Sequence, residues 1–121
     1  MQEIATSADW LNIPFDSPKD IKLYIYFEKE ELDNLKVGYI PRVMENKWFA
    51  YFESNTLYIH RSWTGFEVYR IEFSCFENGY FSSKFWVESN PEKYSAPEEM
   101  EYINFSNFME FYFPEVRFKL M

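Results

Sequence analysis

From Trp48 onward the chain alternates apolar and polar residues in short runs broken by turn-forming pairs. A period of two places every second side chain on one face of a pleated strand. Trp48 to Glu53, Thr56 to Ser62, Phe66 to Phe76 and Tyr80 to Glu88 read as four consecutive strands. Ser54-Asn55 and Asn78-Gly79 separate two of the pairs, and both dipeptides tolerate the positive φ that a tight hairpin needs. Runs so closely spaced predict an antiparallel meander. Upstream, Ile21 to Phe27 reads as a further strand and Glu28 to Lys36 as a short helix. That helix has acids in its first turn, Lys36 in its last and Gly38 at the stop.

The period changes after Pro91. Tyr102, Phe105, Phe108, Met109 and Tyr112 recur at helical spacing in a helix expected over 97–113. Ser95 stands where an N-cap is expected, with Pro97 in the first turn and Glu98 in the capping-box position. Pro114 stops the helix, and Val116 to Leu120 alternates as a last edge strand, which offers an edge for pairing between copies. Residues 1–20 lack a period, and Trp10, Leu11, Ile13 and Phe15 are expected to pack as an arm over the core. The expectation is one α+β domain over 1–121: an antiparallel meander of four or five strands, its central part at 47–88, covered on one face by the C-terminal helix.

Composition sharpens the picture of the core. Fourteen Phe, ten Tyr and four Trp make up 23% of the chain, too many for a binding box, so most must be core or sheet surface. The net charge of −8 and the lack of any Lys/Arg cluster longer than a pair argue against nucleic-acid binding. The same charge suits a basic protein partner. Cys75, the single cysteine, falls in an apolar strand and reads as a small buried hydrophobe with neither a disulfide nor a metal partner. The N-terminus shows no signal-like segment and no apolar run approaches membrane-span length, so the expectation is a cytoplasmic protein without membrane association.

The candidate chemistry sits between the second and third central strands, at His60-Arg61-Ser62-Trp63-Thr64-Gly65. Strand parity puts Leu57, Ile59, Arg61 and Trp63 on one face and Tyr58, His60 and Ser62 on the other, and in the next strand sets Phe66, Val68 and Arg70 against Glu67, Tyr69 and Ile71. An arginine beside an indole at the rim of a core can grip a planar anion: the guanidinium takes a phosphate or carboxylate, and the ring stacks. The bland alternatives are a salt bridge for Arg61, a hydrogen-bonded strand position for His60, packing for Trp63, turn capping for Ser62 and Thr64, and a positive-φ turn for Gly65. His60 is the only histidine, which excludes a two-histidine metal site, and no HExxH, GxSxG or Walker pattern occurs. No catalytic residue and no cofactor is assigned. The candidate ligand-binding set is Lys47, Trp48, His60, Arg61, Trp63, Thr64, Gly65 and Arg70.

The block from Met44 to Phe73 contains Lys47-Trp48-Phe49, Tyr51, Glu53, Leu57-Tyr58, His60 to Gly65, Tyr69 and Phe73. It resembles a small uncharacterised domain of bacteria and phages with the pattern KWF-Y-E…LY-HRSWTG--IY---F. Some members of that domain family are fused or adjacent to ADP-ribose-processing domains such as macrodomains. The resemblance implies a non-catalytic module for an ADP-ribose-like or other NAD-derived nucleotide, used for sequestration in phage counter-defence. Two other readings stand beside it: an acidic interaction or immunity-type protein for a basic partner, and a small hydrolase using His60.

Overall fold

The computed structural model describes residues 4–120 and is α+β, with seven strands in one sheet. In chain order these are β1 (Pro18–Asp20), β2 (Ile25–Glu28), α1 (Leu32–Lys36), β3 (Trp48–Glu53), β4 (Thr56–Arg61), β5 (Glu67–Phe76), β6 (Gly79–Glu88), α2 (Glu101–Tyr112) and β7 (Lys119–Leu120). The sheet order is β3-β4-β5-β6-β2-β7, with β1 also paired to β6, and every strand pairing is antiparallel. The expected meander is therefore β3 to β6, and of the edge strand expected over Val116 to Leu120 only Lys119–Leu120 pairs, as β7.

One face of the sheet carries Leu57, Ile59, Tyr69, Ile71, Phe73, Phe85 and Val87 against Phe105, Phe108 and Met109 of α2. The packing is ring on ring. Phe105 meets Phe85 edge-on at 5.1 Å and Tyr69 at 6.0 Å, a geometry worth about 0.5–1.5 kcal/mol per pair beyond its area. The other face buries Ala5, Phe49 and Tyr51, with Ile40 and Tyr58 packed beside them. The outer edge of β3 is closed by Tyr39, whose N–H and C=O both bond Ala50.

Several local expectations are corrected. The run 21–27 is not one strand. The Ser82 hydroxyl takes the Ile25 N–H at 2.9 Å and donates to the Leu23 carbonyl at 3.1 Å, so 21–24 lies outside the ladder and only Ile25 to Phe27 of the run is strand, in β2. The second hairpin turns on Glu77-Asn78, with Glu77 at φ 53°, and Gly79 already pairs with Phe76. A Cβ on Gly79 would strike the Phe27 carbonyl and the Tyr26 hydroxyl, so glycine serves close approach there. Ser54 and Asn55, by contrast, both take the expected positive φ.

Ser95 does not cap α2. A 3-10 turn at Glu98–Met100 precedes the helix, and neither start has a side-chain cap bond. Tyr102 leaves the buried stripe for solvent, while Glu101 is buried. Cys75 is exposed, because the β5–β6 hairpin runs beyond the helix that covers the core. Parity also fails in β5. The register pairs Ile59 with Tyr69 but His60 with Glu67, so Val68 is an extra residue. Val68 and Tyr69 both enter the helix-side core, and Glu67 joins Arg70 on the opposite face.

Candidate functional site

The eight candidate residues separate into four places. Arg61, the last residue of β4, pairs across the ladder with Trp48, the first of β3. Its exposed guanidinium lies 5.2 Å from the Trp48 ring centre. The half-buried indole is itself held by Phe108 edge-on at 5.7 Å and by Tyr69 at 6.1 Å. Together they line a cleft of about 460 Å³ whose other walls come from Tyr94, Asn104, Asn107, Phe111 and Tyr112. Among the described residues Arg61 has no ion-pair partner, so the expected competing salt bridge is not made there.

Lys47 and Trp63 form a second pair next to the first. The Lys47 ammonium lies 4.1 Å from the centre of the Trp63 ring, and the indole N–H donates to the Met44 carbonyl. Trp63 does not line the cleft, which corrects the expectation that it shares the Arg61 rim.

Thr64 and Gly65 are occupied by the turn. The Thr64 hydroxyl accepts from the Phe66 N–H, and Gly65 at φ 78° donates its N–H to the Arg61 carbonyl. The arm locks this turn from outside. The Trp10 indole donates to the Ser62 carbonyl at 2.7 Å, and Ile13 exchanges bonds with Gly65 and Glu67. A Cβ at Gly65 would fall 2.7 Å from Leu11 Cγ. Ser62 is buried and its hydroxyl donates to the Asn46 carbonyl.

His60 and Arg70 lie on the opposite face. His60 is 2% exposed, stacked on Tyr51 at 5.8 Å, and its Nδ1 has no partner among the described residues. Burial first, and the Arg70 charge second, lower its pKa to about 4, so it is neutral at pH 7. Arg70 grips Glu67 through Nε at 2.7 Å and Nη2 at 2.6 Å, between the Phe15 and Tyr58 rings. Burial pushes the Glu67 carboxyl up, opposed by Arg70. This pair is committed to structure. It also fastens the arm, since Glu67 accepts the Phe15 N–H while buried Glu88 accepts those of Asp16 and Ser17.

No protein-family model matches the chain, and no curated protein or solved structure matches it either. The site therefore rests on its own geometry.

Behind the Tyr69 and Tyr94 wall of the cleft lies a buried carboxylate that sequence reasoning missed. Glu101 Oε1 accepts from the Tyr69 hydroxyl at 2.8 Å and the Tyr94 hydroxyl at 2.7 Å. Tyr94 is pushed up to about 12, chiefly by burial, and Tyr69 is pushed higher still for the same cause. Both hydroxyls stay protonated as donors, so this cluster fixes the wall rather than supplying a base. Asn104, Asn107 and Phe111 were also missed. Their one sequence signal is that Phe111 stands outside the buried stripe of α2, and it is 70% exposed. An aromatic off the packing face of an amphipathic helix asks for a reason.

A cleft of about 530 Å³ on the far side of Tyr112 is lined by Arg42 and Glu115 among others and contains none of the candidate residues. Among the described residues no group of His, Cys, Asp and Glu is arranged to hold a metal, and no helix is long and apolar enough to cross a membrane.

Proposed function

We propose that this protein is a non-catalytic binding module for a planar anionic ligand of the nucleotide type, seated in the cleft between the β3–β4 end and α2. The observation that carries the reading is Arg61: an exposed guanidinium, backed by an indole and without an ion-pair partner among the described residues, in a chain of net charge −8. In so acidic a protein, an arginine left uncompensated at a cleft is an anion site in waiting. The cleft volume of about 460 Å³ falls in the range of small-molecule sites. Trp48 is already covered by Arg61, so the two act as one unit facing a phosphate. The ligand's ring lies against Phe111, with the Asn104 and Asn107 amides at its edge.

The resemblance of the Met44 to Phe73 block supports ADP-ribose or another NAD-derived nucleotide as the class, with sequestration of such a signal in phage counter-defence as the role. A cytoplasmic setting, in which the exposed Cys75 thiol stays reduced, fits that role. His60, buried on the other face, takes no part in the site.

The test is calorimetry with ADP-ribose, NAD and cyclic nucleotides. One of them is expected to bind, and Arg61→Ala to weaken it roughly 10- to 100-fold, the loss of one or two charge-assisted hydrogen bonds. No heat from any of them, with the fold intact by circular dichroism, overturns the reading.

A further inference from the structure

The two ends of the central hairpins carry opposite chemistry. β4 runs from Thr56 to Arg61 and β5 returns from Glu67 to Phe76, so the turn at Trp63 and the turn at Glu77 lie at opposite ends of the sheet. Ten residues of β5 at a strand rise of about 3.3 Å put them about 30 Å apart.

At the first end Trp63 is 62% exposed, beside Met44 at 72% and Val43 at 57%. The Trp63 indole N–H is satisfied internally at the Met44 carbonyl, so the ring offers only apolar surface, with Lys47 over it. Glu45 is the one acid in this loop.

At the second end Phe76, 46% exposed, packs edge-on to Tyr26 and to Phe81. Glu28, Glu30 and Glu77 surround Tyr26 closely enough to help hold its hydroxyl above the ordinary range, after burial. Lys119 lies over the same ring, 5.8 Å from its centre, and leaves an acidic excess. Among the described residues neither Lys47 nor any of these three glutamates has an ion-pair partner.

Each end is thus an exposed aromatic anchor with an unmatched charge, and the signs are opposite. Large aromatics ringed by charge are the usual anchors of protein interfaces. Each end complements the other on a second molecule, and none of this depends on the ligand reading of the Arg61 cleft.

We propose that copies of this chain associate head to tail, the Trp63–Met44 end of one seated on the Tyr26–Phe76 end of the next, with Lys47 facing Glu77 and its neighbours. Such a contact is heterologous: each copy has one end used and one end free, so association continues past the dimer, into a ring or a filament. The charges set register and encounter, and the rings supply the buried area.

Sedimentation velocity of the full chain at low salt tests this. The expected result is a weight-average mass that rises past two copies with concentration and falls at half-molar salt, where the Debye length is only a few ångströms. Lys47→Glu and Glu77→Lys are each expected to weaken association roughly tenfold. The two variants mixed should associate again, because each then supplies the charge that the other lacks. Trp63→Ala, at an exposed position that leaves the fold intact by circular dichroism, should abolish it. Three outcomes overturn the proposal: a monomer at every concentration, assembly that stops at two copies, or an association that neither charge reversal moves.

Discussion

Protonation of one buried side chain should make this fold acid-sensitive. His60 is neutral in the native state, with a pKa lowered from 6.5 to about 4, while in the unfolded chain it returns to the ordinary value. Between these values the unfolded chain binds a proton that the native state refuses, so stability rises with pH through this window. The contribution is fully present above about pH 6.5 and is lost as the pH falls toward 4. One pH unit of full mismatch corresponds to about 1.4 kcal/mol, and lowering the pH from 7 to 5 should cost about 2 kcal/mol through His60 alone. The groups facing the imidazole explain why nothing rescues the charged form. Tyr51 from β3 stacks on it, Phe49 flanks it at 6.1 Å, and Glu67, paired with His60 across the ladder, is already taken by Arg70. Glu67, pushed up by burial, titrates in the opposite sense, so the wild-type curve is a sum. His60→Phe isolates the imidazole, because Glu67 is common to both proteins and a phenyl ring fits among Phe49 and Tyr51. Urea unfolding at pH 7 and pH 5 should show wild type losing about 2 kcal/mol more than the variant over that interval. Equal losses in the two proteins would refute the argument and mean that His60 finds a proton acceptor in the native state.

The meander and the helix were legible because the signals that announce them are local. A period of two over β3 to β6 and a period near 3.6 over Phe105, Phe108 and Met109 need only neighbouring residues. Of the candidate set, the sequence placed Arg61 beside Trp63, whereas the structure sets it against Trp48, and the rest is scattered by contacts that no local pattern encodes. Val-Tyr-Arg-Ile-Glu-Phe alternates equally well with or without an extra residue opposite β4. The bulge at Val68, which turns Glu67 toward Arg70 and commits that arginine to an ion pair, therefore leaves no trace in the sequence. Parity divided the His60 to Gly65 hexapeptide between two faces and left Arg61 and Trp63 as the binding pair. Much of it instead closes a turn against an arm more than fifty residues upstream, through Trp10 on Ser62 and Leu11 on Gly65. Cys75 was expected to be buried because it falls in an apolar strand run, yet it is exposed near the end of β5. The cleft itself needed α2 docked over the end of β4, and only then do Asn104, Asn107 and Phe111 acquire a partner in Arg61.

Two further substitutions test the framework that holds the site. Gly65→Ala must take a φ of 78° and push a methyl to 2.7 Å from Leu11 Cγ, so thermal unfolding should show a loss of about 1–3 kcal/mol; an unchanged Tm would mean that the arm is not seated on the turn. Glu101→Ala removes the acceptor shared by the Tyr69 and Tyr94 hydroxyls. The buried Tyr69 and half-buried Tyr94 hydroxyls are then left with each other, joined at 2.9 Å, and one of their hydrogens loses its acceptor, which should cost about 1–3 kcal/mol in urea unfolding. Glu101→Gln keeps an acceptor oxygen at that point and should lose less than half as much. Equal losses from Ala and Gln would show that the charge of Glu101, rather than its hydrogen bonds, holds the wall of the cleft.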